Sequence, residues 1–190
     1  MRAISSRETH AYFHDRLVAK LFKVQPVAML DTLFAGSAAE KKIGLQIMHD
    51  VTSMDKANPV DAVPQEELLA WCERARAERY PVAASIVTLF REEGGKPLEW
   101  SNTAQVLLRR APDPVAVLKG YVGRFRPGSW SGSLAAAMEA PLTPLRAFEQ
   151  DANAAIAEFA QAEGLRLRQE IERVRRHETE EDKQTDERFE

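Results

Sequence analysis

The sequence predicts an all-α protein of antiparallel helical hairpins, stacked as a short α-solenoid or gathered into a compact helical bundle. Two observations carry this. Apolar residues recur every three or four positions between capping and breaking signals. No segment keeps the one-in-two alternation of a half-buried strand for more than a few residues. Composition agrees: aromatic residues are 7% of a chain that is 44% hydrophobic, so Ala and Leu supply much of the apolar surface, which favours helix.

Ser5 with Glu8 forms a capping box ahead of a helix over about 7–23, whose apolar stripe is Phe13, Leu17 and Leu21 with Val18 and Phe22 beside it. Pro26 opens a second helix, because a proline at the first helical position sacrifices no hydrogen bond, and Gly36 closes it. A second box, Ser37 with Glu40, starts a third helix through Ile43, Ile47 and Met48. Residues 52–63 read as a loop. Pro64 then opens a helix carrying Leu68, Trp71 and Cys72, and Tyr80-Pro81 breaks it and starts its partner. Gly94-Gly95 makes the next turn, and Ser101 caps a helix through Leu107 and Leu108. Asp113-Pro114 is an N-cap followed by a first-position proline. Ser131 or Ser133 opens a helix that Pro141 and Pro144 divide, and Asp151 caps the last one, which extends toward His177.

Hairpin starts near Pro26, Pro64, Ser101 and Ser133 are 38, 37 and 32 residues apart, close to the period of two-helix repeats. A helical-repeat domain is therefore expected over residues 1–168, followed by a charged tail over 169–190. From Glu170 onward the tail holds nine acidic and five basic residues. Its sign alternation, Glu170 with Arg173 and Glu172 with Arg176, suits a solvated helix. Phe189 stands there as an isolated apolar residue.

The segment from Asp151 to Leu165 (Asp-Ala-Asn-Ala-Ala-Ile-Ala-Glu-Phe-Ala-Gln-Ala-Glu-Gly-Leu) resembles the second helix of a HEAT repeat. It lacks the Arg usual in that family after the apolar position. Trp130-Ser-Gly-Ser-Leu134, Asp151-Ala-Asn153 and Asp186-Glu-Arg-Phe-Glu190 resemble the C-terminal helical end-piece of large multidomain bacterial proteins, many with nucleotide-binding or defence-related domains. The resemblance implies a helical scaffold element and carries over no catalytic residue.

A net charge of −3 gives no global pull toward nucleic acid or anionic lipid. A single cysteine permits no intrachain disulfide. With neither a signal-peptide h-region nor an apolar run long enough to span a bilayer, a cytoplasmic location is expected.

Chemistry-bearing patterns are sparse. His10 and His14 share a helix face at a spacing of four, which offers two ligands where a catalytic zinc wants three. No phosphate-binding Gly-x-x-x-x-Gly-Lys-Ser/Thr loop and no Gly-x-Ser-x-Gly elbow occur. Cys72 lies among apolar neighbours and reads as an inert core thiol. No cofactor or metal is expected. The richest stretch is Arg109 to Trp130, with Arg109, Arg110, Lys119, Arg124 and Arg126 against Asp113 alone and with Tyr121, Phe125 and Trp130 interleaved. Such a strip suits an acidic protein partner, or phosphate contact with base stacking. Two other assignments compete with these: solvated arginines over core aromatics, and intramolecular pairing with the acidic tail. The expected function is a non-enzymatic protein-protein interaction module that binds through Arg109, Arg110, Arg124, Arg126 and Trp130. Nucleic-acid binding by the same strip is the alternative, and a metal enzyme using His10 and His14 is a third.

Overall fold

The computed structural model describes residues 11–55, 58–91, 94, 97–128 and 130–186. They are mostly helical, with one two-stranded hairpin. The chain divides into two compact units. The first is Met1–Leu89 with Asn102–Pro112, the second Phe90–Ser101 with Asp113–Glu190.

Unit one begins with α1 (Ala11–Val24), which buries Val18 and Phe22 and packs on the hairpin of α2 (Pro26–Phe34) and α3 (Ala38–Asp55). The capping box ahead of α3 forms as the spacing requires: the Ser37 N–H and hydroxyl donate to Glu40 at 2.7 and 2.8 Å. Gly44 on α3 lies against the Leu33 carbonyl, which an added Cβ would strike, so only glycine lets α2 and α3 approach so closely. The box at Ser5 and Glu8 lies outside the described residues.

The loop expected over 52–63 is largely structured. α3 runs through Asp55, and a 3-10 turn at Pro59–Ala62 packs against α1 and α3. Asn58 pins this turn by accepting from Val60 N–H and donating to the Ile86 carbonyl and the Thr88 hydroxyl. The expected break at Tyr80-Pro81 moves upstream. α4 (Gln65–Glu73) ends at Arg74, and α5 (Arg76–Ile86) carries Pro81 inside it. Pro81 is tolerated because the carbonyl it orphans, that of Ala77, belongs to an exposed residue, while the preceding Tyr80 is buried and donates to Glu73 at 2.6 Å. α2 packs on α4 and α3 on α5, and α6 (Asn102–Arg110) adds to α5.

A polar hub ties these helices together. The Asp31 carboxylate accepts from the Trp71 indole N–H at 2.8 Å and pairs with Arg74 and Arg79 at 3.1 Å each. The Arg79 guanidinium also sits 4.7 Å over the Trp71 ring.

Unit two opens with the hairpin that the sequence did not announce, because strands of two residues are too short to show alternation. β1 (Phe90–Arg91) pairs antiparallel with β2 (Glu99–Trp100), Phe90 opposite Trp100. Trp100 is the centre of the core. Its ring lies 4.9 to 6.1 Å from those of Phe90, Phe148, Tyr121 and Phe125, and its indole N–H donates to the Pro144 carbonyl at 2.8 Å.

α7 (Pro114–Val122) has the predicted cap, Asp113 accepting from Ala116 N–H at 2.9 Å. Ser133 caps α8 (Leu134–Glu139), and Pro141 precedes α9 (Leu142–Arg146), which carries Pro144 within it. α10 (Ala154–Asp186) is 33 residues long. The cap expected at Asp151 falls instead at Asn153, which accepts from Ala155 N–H, while Asp151 accepts from Asn153 N–H one step earlier. α10 passes residue 168 without interruption, and its buried stripe is Ile156, Ala160, Gly164, Leu167 and Ile171. An added Cβ at Gly164 would stand 2.8 Å from the Glu149 carboxylate.

The third expected hairpin is divided: α6 belongs to unit one and α7 to unit two. Ser101 and Asp113 punctuate local helices correctly, but local punctuation does not say which core a helix joins.

Candidate interaction surface

The five residues singled out from the sequence fall in both units. Arg109 and Arg110 form the exposed last turn of α6, where cations complement the negative end of the helix dipole. The Arg110 carbonyl accepts from Arg76 at 3.0 Å. Arg124, Arg126 and Trp130 belong to unit two, on the connection between α7 and α8.

Phe125, between the two arginines, is buried in the Trp100 cluster, which turns its neighbours outward. Arg124 keeps an exposed surface, yet partial burial of its guanidinium draws its pKa below the usual arginine range, offset in part by Tyr121. The Arg126 side chain is 65% exposed and pairs with Glu170 of α10 at 3.5 Å. Trp130 is 52% exposed. Gly132 adopts a φ of +75°, a left-handed turn that suits glycine, just before α8. The interleaved aromatics therefore part company: Tyr121 and Phe125 are core, and Trp130 alone of the three faces solvent.

The intramolecular pairing with the acidic tail weighed from the sequence occurs between Arg126 and Glu170, but the other partners that α10 provides differ from those the spacing suggested. Glu170 is shared between Arg126 and Arg166 rather than Arg173, and Glu172 pairs with Arg175 rather than Arg176. Arg175 also reaches Glu139, and Glu178 reaches the start of α8. The signal available was the alternating charge of the tail, which identifies a helix but not its tertiary partners.

Cys72 is buried, and burial pushes its thiol up to about 12, with Arg79 opposing the shift and Glu73 adding to it. It holds its proton at neutral pH, which is the wrong state for a nucleophile. Among the described residues no group of three or more His, Cys, Asp or Glu is placed to hold a metal ion, and no helix is long and apolar enough to cross a membrane. His10, the side chain of His14 and Phe189 lie outside the described residues.

The fold thus defines a mostly helical protein in two units, with a basic, tryptophan-bearing connection on the second. No family model, curated protein or solved structure matches the chain significantly.

Proposed function

We propose that this chain is a non-enzymatic helical-repeat protein that holds a protein partner, as an interaction or scaffold module of a cytoplasmic bacterial defence or regulatory system. The observation that carries the reading is Trp130, half-exposed on a connection with Arg124 and Arg126 and within a stretch, Pro114 to Met138, that contains no acidic residue. Tryptophan and arginine are enriched among the residues that carry most of the binding energy of protein interfaces, and a half-exposed tryptophan offers a partner a large apolar face. The complementary partner is acidic. Arg109 and Arg110 offer a second basic pair on unit one. The HEAT-like part of the proposal draws support from α2 packing on α4 and α3 on α5, the like-on-like stacking of successive hairpins.

The test is capture of the partner by wild type, Trp130→Ala, Arg124→Glu and Arg126→Glu proteins, each with its melting temperature. Trp130→Ala should weaken capture roughly tenfold or more at unchanged melting temperature. Arg126→Glu also loses the Glu170 pair, so Trp130→Ala and Arg124→Glu decide the outcome. Undiminished capture by both discards the surface. A gel shift with single-stranded nucleic acid that weakens steeply with salt would favour the nucleic-acid alternative instead.

A further inference from the structure

α8 is one of the two short helices of unit two. It has six residues and fully buries only Ala135 and Met138. A helix this short does not hold itself together on backbone hydrogen bonds, because nucleation costs more than its few bonds return. α9, of five residues, compensates by burying Leu142, Pro144 and Leu145. α8 packs along α10 through Ala135 and Met138 and is also tied to it by polar contacts at its two ends. At its start the Glu178 carboxylate accepts from the Ser133 hydroxyl at 2.8 Å and from the N–H groups of Leu134 and Ala135. At its finish Arg175 donates to Glu139 at 2.6 Å and is steadied by Glu172 at 3.0 Å. Arg175 and Glu178 are one turn apart on α10, beyond Ile171, the last fully buried residue among those described.

We infer that α8 is a latched element: Arg175 and Glu178 hold a marginal helix shut against α10, and it opens locally, ahead of the rest of unit two, when that latch is cut or screened. Ala135 and Met138 then become accessible, an apolar surface concealed at rest. The latch has the right physics for a reversible device. Its members are exposed enough for salt and competing charges to weaken them, and each contributes little to global stability. Elements with few buried apolar contacts open at a free energy below that of global unfolding.

Native-state hydrogen exchange on the full chain tests this. The informative amides are Met138 and Glu139, at the far end of α8 from Glu178, since their exchange reports opening of the helix rather than loss of an acceptor. In Glu178→Gln they should exchange roughly tenfold faster than in wild type, as expected for losing hydrogen bonds to a charged acceptor, with α7 and the stripe of α10 unchanged. Rising salt should reproduce the effect in wild type and add little in the variant. Arg175→Gln should accelerate the same amides from the other end. Exchange in α8 that is unchanged, or that changes only in step with all of unit two, overturns the inference. Because Glu178→Gln keeps the side-chain shape and the wild-type salt series needs no substitution, a failure of the variant to fold would not leave the question open.

Discussion

Unit one and unit two organise their cores around a tryptophan each, by opposite means. Trp71 is stitched into a polar hub: its indole N–H and two arginines converge on Asp31, one of the arginines stacks on its ring, and Phe34 meets it edge-on at 6.5 Å. Trp100 is enclosed by four aromatic rings, and its indole N–H donates to a backbone carbonyl. The hub joins α2, α4 and α5 through directional bonds that set their register. The aromatic cluster joins the hairpin to α7 and α9 through shape and buried area. The first should therefore respond to loss of a single charge, and the second to loss of volume.

The largest effect is expected from Trp100→Ala, which removes the filler of the aromatic cluster and should cost about 3–5 kcal/mol, read as early loss of unit two in denaturant unfolding. Asp31→Ala strands two arginines and an indole donor. Since Asp31 is one-third exposed, water and salt soften the penalty to about 1–3 kcal/mol. If Asp31→Ala proved as damaging as Trp100→Ala, the hub would be the dominant core of the protein and the contrast would fail.

pH sharpens the same contrast. Burial raises the Cys72 thiol from 9 to about 12, so the native state disfavours the thiolate. The stability this proton provides is complete below pH 9 and is lost as pH rises from 9 toward about 12. Unit one should unfold first in alkali, and Cys72 should react with a thiol reagent at pH 8 only after denaturant is added. On the acid side, Glu40, held low by the Ser37 N–H and hydroxyl, and Glu178, held low by Ser133 and the α8 amides, contribute stability that is lost as pH falls through their depressed values. The smallest effect belongs to Trp130→Phe. Its stability should change by less than about 0.5 kcal/mol, while most of the acrylamide-quenchable tryptophan fluorescence disappears, because Trp71 and Trp100 are buried.

Much of the helical fold was legible because its signals are local. Ser37 with Glu40, Asp113 with Pro114, and Ser133 each act within three residues, and each cap is found where the spacing puts it. Pro81 misled because whether an internal proline breaks a helix depends on the surroundings of the carbonyl it orphans. The candidate surface was half legible. The run of arginines and aromatics is visible in the chain, but only packing separates exposed Trp130 from core Tyr121 and Phe125.

Helix content, the caps and the basic stretch from Arg109 to Trp130 follow from neighbours along the chain, because hydrogen bonds and periodicity over three or four residues set them. Which helices share a core was decided only in three dimensions. So were the pairing of Phe90 with Trp100, the meeting of Asp31 with Trp71 across forty positions, and the reach of Glu178 back to Ser133. Those contacts depend on side-chain shape and on charges brought together by folding, and a pattern read along the chain does not encode which distant partner a residue will meet.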